Sequence, residues 1–244
     1  ELFNPKAPVF DTDIHPTAVI HETAKIGAGC KIGPNCYVGK HVELGSEVLL
    51  YPNVCVFDET SIGNNTIVWS GTVIRERCII GSHCIFHTNV SIGADGFGLV
   101  KESKKNKSIP HLGNVIIKDD VFIGANCCID RGTINDTIIS ENCRLDNLIQ
   151  VGHNVQIGRG CILAAQVGIA GSTIIKNNVT IAGQVGIIDH IVIEENSIIA
   201  AKSLVCNSVD KGSFLSGNPA QPHRDFLRQQ ILLRSLDKDN KDRQ

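Results

Sequence analysis

Aliphatic residues recur along this chain with a period of six. From Ile14 the series runs through Ile20, Ile26, Ile32, Val38, Leu44, Leu50, Val56, Ile62, Val68, Ile74, Ile80, Phe86 and Ile92, and every position is apolar. Four residues after each stands a small or β-branched residue, as at Ala18, Cys30, Cys36, Val42, Thr60, Cys78 and Val90. The frame breaks after Ile92 and returns at Ile117, Ile123 and Ile129. It then slips by four residues and keeps step from Ile139 to Val205, which makes 29 hexads in all.

Such a period fits neither an amphipathic helix nor a half-buried strand. It fits a short strand and a tight turn repeated three times per coil, so that each residue stacks on its counterpart three hexads later. The aliphatic residue then points into a prism-shaped core and the small residue fills the corner beside it. Gly and Asn in the turns supply backbone conformations that bulky residues avoid. The predicted class is an all-β solenoid of nearly ten coils. At a strand spacing of roughly 4.8 Å the prism is about 45 Å long, and its ends need caps.

Composition agrees. Ile (33) and Val (21) far outnumber Leu (15), and aromatics are 5%, a balance that suits narrow strands. A net charge of -2 and a pI near 6.5 give no broad basic field for nucleic acid. No apolar run approaches the roughly 18–20 residues of a transmembrane segment, and no signal peptide opens the chain. Of the ten Cys, seven (Cys30, Cys36, Cys78, Cys84, Cys127, Cys143 and Cys161) fall in the small inward slot of a hexad, and no C-x-x-C pair exists. They read as small hydrophobes in a reduced, cytoplasmic protein with no metal and no cofactor.

Four departures from the frame set the domain organisation. Residues 1–13 read as a linker, and the solenoid spans 14–222. An inserted loop, 99–113, carries Lys101, Lys104, Lys105 and Lys107. Insertions in a solenoid project from one face and often form its binding site. Residues 129–138 are a smaller irregularity. Residues 223–244 lose Gly and Pro and read as a helix over 223–236 followed by a frayed tail. Phe226, Leu227, Ile231 and Leu232 are its expected apolar face against the last coil.

Chemistry belongs at outward positions that stack in register. His15, His21, His41, His83, His87, His111 and His223 are scattered and read as surface residues. His153 differs, because the same slot one coil later holds Gly171, and one coil later again Asp189, followed by His190. A neutral imidazole can take a proton from an attacking amine or hydroxyl. A Gly amide with no side chain in the way can hold the oxyanion of a tetrahedral intermediate. On spacing alone the column is one coincidence among nine His.

The segments GADGFG (93–98), IPHLGNVII (109–117), IGANCCIDRGTINDTII (123–139), LDNLIQVGHNVQIG (145–158), AAQVGIAGSTIIKNNVTIAGQVGIIDHIVI (164–193) and SGNPAQP (216–222) add a family. In this order they resemble the hexapeptide-repeat acyltransferases, and within them the UDP-3-O-(3-hydroxyacyl)glucosamine N-acyltransferases of lipid A biosynthesis. The resemblance covers nearly the whole chain. It implies a left-handed parallel β-helix, against the right hand general for parallel crossovers. It also implies His153 as general base, Asp146 as its support, Gly171 as oxyanion donor, and His190 with Asp189 at the substrate. A homotrimer with sites between adjacent prisms is implied, with UDP-3-O-acyl-glucosamine as acceptor and acyl carrier protein as donor. That acidic partner would meet the Lys loop and Arg224, Arg228 and Arg234. The family has a uridine-binding N-terminal domain, and the absence of any Met suggests a chain cut before its solenoid.

Three other readings stay open. One is a related transferase that uses another nucleotide sugar or acyl-coenzyme A. Another is a zinc lyase on the same fold, which requires three His converging across a subunit boundary. The last is a non-enzymatic scaffold, which would present an unbroken outer face.

Overall fold

A computed structural model describes residues 13–102 and 105–241, with side chains to Leu233. The expected linker 1–13 lies almost wholly outside the described residues, as do Lys104 and the side chain of Arg234. Each hexad forms a two-residue strand and a turn, and successive strands fall on three faces in rotation. Face I carries ten strands from Val19–Ile20 to Leu204–Val205, and face II nine from Lys25–Ile26 to Val192–Ile193. Face III carries eleven, from Lys31–Ile32 to Gln221–Pro222. Strands on each face pair in parallel except the last, where Leu215 meets Pro222 in an antiparallel bridge. The solenoid runs past the last hexad, because Phe214–Ser216 continues face III beyond Val205.

The second residue of each strand points inward. Ile32, Val38, Leu50, Ile74, Ile92, Ile123, Ile139, Ile181 and Ile199 are all completely buried. The corner slot obeys a second rule, that any polar group there must find a partner. Thr60, Thr66 and Thr72 are fully buried, and each hydroxyl donates to a turn carbonyl (Arg75, Gly81 and His87) at 2.9–3.0 Å. The seven corner cysteines are buried and unpaired with one another in disulfides. Burial pushes the Cys78 thiol up to about 12 and those of Cys84 and Cys127 up to about 11, so these groups stay protonated and act as packing.

Turns keep the chain on the prism by placing one residue in the left-handed region. Asn is the commonest occupant, for example Asn35 (φ 58°), Asn154 (62°) and Asn178 (56°). Its short polar side chain tolerates that region better than most. Beside the corner from face III to face I the outer surface carries a run of rings. Tyr51 stacks on Trp69 with centroids 4.1 Å apart and planes 5° from parallel. Trp69 then meets His87 at 6.0 Å, and His87 meets Phe122 at 5.0 Å. His87 is therefore part of a stack and not an isolated surface residue.

Strand register shows where the two breaks in the hexad frame are absorbed. Ile74 pairs with Ile92, an offset of 18, whereas Ile80 pairs with Ile117, an offset of 37. Ile117 pairs with Ile139, an offset of 22, and Ile139 with Ile157, back to 18. Both insertions, of 19 and 4 residues by these registers, leave the coil at the same corner, between faces I and II. The longer one is more ordered than the expected loop: Leu99–Glu102 and Lys105–Ser108 form an antiparallel hairpin. The C-terminal helix runs from His223 to Lys241, beyond the expected end at 236. Its expected apolar face is only partly used. Phe226 packs on Gly217, but Leu227, Ile231 and Leu232 are 46–66% exposed. The helix leans on the last two strands of face III.

Truncating one inward residue should show how the coils share stability. Ile123→Ala leaves a void in a fully buried layer and should cost about 2–5 kcal/mol in urea denaturation. Because each coil touches only its neighbours, hydrogen-exchange protection should fall most near residues 80–150 and little beyond residue 190.

Candidate active site

At the corner between faces I and II, the His153 imidazole is half-buried. It forms a ridge between two clefts. One, about 600 Å³, is lined by Asp95, Gly96, Phe97, Asp130, Gln150, Gly152, Ile169, Ala170, Gly171, Asp189 and His190 as well as His153. The other, about 460 Å³, lies toward Thr133, Asn135, Asn154 and Ser172 and shares His153 and His190.

The four-residue insertion fixes the imidazole. Its loop supplies the Thr133 N–H, which donates to Asn154 Oδ1 at 3.0 Å, and the Asn135 carbonyl, which accepts from Asn154 Nδ2 at 2.8 Å. Two backbone partners thus set which end of the amide is oxygen. That oxygen stands 3.0 Å from His153 Nδ1. An amide oxygen only accepts, so Nδ1 carries the proton and Nε2 keeps its lone pair. The Asn154 amide itself donates to Thr137 Oγ1 at 2.9 Å, which closes the turn.

Gly171 completes the geometry. A Cβ at this position would lie 2.5 Å from His153 Cε1 and 2.6 Å from Nε2, so only Gly lets the ring lie across this backbone. At the same slot in several other coils, the amide is capped by a side chain of the next coil. Lys40, Ser46, Ala125 and Arg159 donate to the side chains of Asp58, Asn64, Asn147 and Asn177. Gly171 cannot cap the His153 amide. Asp189, in the capping slot for Gly171, accepts no such bond among the described residues, so the Gly171 N–H faces the cleft unpaired. Asp189 and His190 are exposed, with Oδ2 and Nε2 4.0 Å apart.

The long insertion forms the other wall. Gly96 lies so close that a Cβ there would stand 2.8 Å from His153 Cβ. His111, expected at the surface, is instead 6% exposed, with its ring 5.5 Å from that of His153 at 62°. Its Nδ1 donates to the Ile109 carbonyl at 3.0 Å, while Nε2 is buried with no partner.

Arg131 anchors this wall. Although charged, its side chain is only 2% exposed. Nη1 pairs with Glu76 at 2.9 Å, Nε donates to the Gly93 carbonyl at 2.7 Å, and its own N–H donates to the Ala94 carbonyl at 2.8 Å. Burial alone would push the Glu76 carboxyl up. The Arg75 hydrogen bonds, its own backbone amide and the Arg131 charge outweigh that and hold it down at about 2.

Asp146 is not brought to His153. It stands at the preceding corner of the prism, exposed, with its carboxylate accepting from the backbone and side chain of Asn147. The seven-residue spacing from His153 crosses a whole face, so within one chain the expected support is absent and Asn154 provides it. Among the described residues, no three His, Cys, Asp or Glu side chains converge as metal ligands. No helix of the described residues is long and apolar enough to cross a membrane.

Known proteins carry the same pattern. The profile of the bacterial transferase hexapeptide family (six repeats) matches residues 136–171, and that of the GMPPB C-terminal domain matches residues 14–98. UDP-3-O-acylglucosamine N-acyltransferase 2 of Legionella pneumophila (strain Lens) is 55% identical over 150 residues, covering 62% of this chain and 44% of that protein. UDP-3-O-acylglucosamine N-acyltransferase of Methylobacterium sp. (strain 4-46) is 39% identical, covering 62% and 43%. Over these residues the chain is similar to those N-acyltransferases. It spans less than half the length of the curated N-acyltransferases it matches.

Solved acyltransferase structures share the architecture. The Arabidopsis UDP-N-acetylglucosamine acyltransferase superimposes with a TM-score of 0.78 at 26% identity, covering 89% of this chain and 76% of that one. The UDP-N-acetylglucosamine O-acyltransferase of Moraxella catarrhalis gives 0.65 at 27%, covering 93% and 82%. The fold of this chain is thus the left-handed parallel β-helix.

The Glu76–Arg131 clamp gives the site an acid-sensitive wall. Glu76 loses affinity for protons on folding, so its contribution is complete above its ordinary value of 4.5 and is lost as pH falls toward about 2. With a third of the side chain in water, the loss should be about 1–2 kcal/mol. Glu76→Gln should remove that slope from stability measured between pH 5 and pH 2, and hydrogen exchange at residues 93–98 should rise over the same range in the parent protein.

Proposed function

We propose that this chain carries the acyl-transfer site of an N-acyltransferase. The enzyme moves a 3-hydroxyacyl chain from acyl carrier protein to the 2-amine of UDP-3-O-acyl-glucosamine in lipid A biosynthesis, in a cytoplasmic homotrimer. The reading is carried by one observation: His153 is held with Nε2 free beside the unpaired amide of Gly171. The similarity to UDP-3-O-acylglucosamine N-acyltransferases suggests the acceptor and the bond formed.

The chemistry follows from those two groups. The thioester carbonyl oxygen lies at the Gly171 N–H, where negative charge develops as the amine attacks. His153 Nε2 takes the proton that the nitrogen loses as the C–N bond forms. The tetrahedral intermediate then collapses, the C–S bond breaks, and the imidazolium returns its proton to the departing thiolate. Transfer is direct, with no acyl-enzyme, because no nucleophilic side chain is needed once base and oxyanion donor face one point. The ridge position of His153 lets donor and acceptor approach from its two clefts. Both clefts are shallow, and a neighbouring prism supplies their missing wall. Asp146, which cannot reach His153 of its own chain, can serve that of a neighbour.

The outer hairpin gives the donor protein a landing place. Lys101, Lys105 and Lys107 are all exposed there, and Arg224 and Arg228 are exposed at the base of the helix, where Arg228 already pairs with Asp225 at 3.3 Å. Complementary charge of this kind raises association rates more than final affinity.

Mass spectrometry of the product from 3-hydroxyacyl-acyl carrier protein and UDP-3-O-acyl-glucosamine tests the reading. The expected product is the amide. His153→Ala should lower kcat by about 10²–10⁴-fold with an unchanged melting temperature. Gly171→Ala, which drives a methyl into the imidazole, should also lower kcat with little change in KM. Turnover by His153→Ala at the parental rate would overturn the assignment.

A further inference from the structure

The fold neighbours and the sequence relatives differ in the bond they make. The Moraxella catarrhalis neighbour is an O-acyltransferase, whereas the curated relatives are N-acyltransferases. His153 and the Gly171 amide serve either reaction equally, since an alcohol and an amine both need a base and an oxyanion donor. Something else in the site must favour nitrogen.

The larger cleft has a distinctive charge. Three carboxylates line it, those of Asp95, Asp130 and Asp189, and no Lys or Arg does. Asp95 and Asp189 are exposed and well hydrated, while Asp130 is half-buried. Its strand stacks directly beneath Gln150–Val151, which places its side chain beside Gly152 and His153. One neutral donor holds it, as Gln150 Nε2 gives a hydrogen bond to Oδ2 at 2.9 Å. The adjacent cation does not reach it: the Arg131 guanidinium is committed to Glu76 and the Gly93 carbonyl and stands 4.0 Å from Asp95, with no ion pair to Asp130. Among the described residues Asp130 has no ion-pair partner, and a carboxylate drawn out of water without one is costly. Beside it, His111 Nε2 is buried and unpartnered, a second polar atom with unused capacity next to the base.

We propose that Asp130 is the amine-selecting residue of this site, receiving the acceptor as an ammonium and presenting it to His153. This rests on the acyl-transfer reading above and names the class of acceptor for that same site: a primary amine on a sugar, in preference to a hydroxyl. An ammonium donates one hydrogen to the carboxylate and fills the charge the cleft lacks, which a neutral hydroxyl cannot do. One proton must leave to bulk water before attack, giving the free amine. His153 takes the second as the C–N bond forms and passes it to the thiolate as the C–S bond breaks. A diphosphate is repelled by three carboxylates, so the nucleotide end of the acceptor lies away from this cleft, past the exposed His190.

Two acceptors separate this role from a structural one: UDP-3-O-acyl-glucosamine and its analogue with a 2-hydroxyl in place of the amine. Asp130→Asn should lower kcat/KM for the amine by about 100-fold while leaving the hydroxyl analogue within about threefold, so the preference collapses. Asp130→Glu, which keeps the charge, should restore part of the preference. An unchanged amine-to-hydroxyl ratio in a folded Asp130→Asn variant would overturn the proposal. Should Asp130→Asn fail to fold, an unchanged ratio in Asp130→Glu across pH 6–9 would overturn it, since the ratio must follow the charge of the acceptor. No transfer by the parent protein to either acceptor defeats the acyl-transfer reading instead. Calorimetric binding of the two acceptors then decides, and equal affinities for amine and hydroxyl would sink Asp130 as the selector.

Discussion

Everything in this molecule depends on the parallel backbone ladder that holds each residue above its counterpart one coil earlier. The ladder permits no slippage, because a strand of two residues shifted by one would turn its aliphatic side chain out of the core. Extra residues therefore cannot be absorbed along a face and must leave at a corner. Both insertions leave at the same corner, and the candidate site stands there. The ladder thus acts twice. It stacks His153, Gly171 and Asp189 in one column, and it expels onto that column the loops that wall it.

The three features proposed to act in the site draw on different layers of this constraint. Gly171 works by lacking a side chain, which lets the His153 ring lie across its backbone, while its own amide has no partner among the described residues. His153 works by orientation, and that orientation comes from an Asn whose amide is clamped by two backbone groups of an irregular loop. Asp130 works by incomplete compensation, a half-buried charge with a single neutral donor. None of these is strong alone, and what makes them a site is that one corner brings them within a single cleft.

Much of this was legible in the chain. The hexad series gave the coil, its inward residues and its corner cysteines, because a single apolar period decides which atoms meet water. The column of His153, Gly171 and Asp189 was visible as a repeat of the repeat. What stayed hidden was whatever depends on how an insertion folds back. His111 looked like one more surface histidine, since nothing in IPHLG shows that its ring is buried against His153. Asn154 looked like a turn residue, which it also is. Asp146 was paired with His153 by resemblance alone, and within one chain seven residues carry it across a full face of the prism. The breaks at 92–117 and 129–139 were the available signal, for in a structure built on periodicity the aperiodic stretches are where specific contacts are formed.

The run of rings beside another corner gives the molecule a spectroscopic handle. Its single tryptophan, Trp69, is sandwiched between Tyr51 below and His87 above, so its fluorescence senses the spacing of three consecutive coils and no others. In a solenoid whose ends can fray while its middle holds, that signal is a local one. Emission and far-ultraviolet dichroism would part company whenever unfolding begins at the C-terminal coils, and would coincide only when the prism fails as a unit.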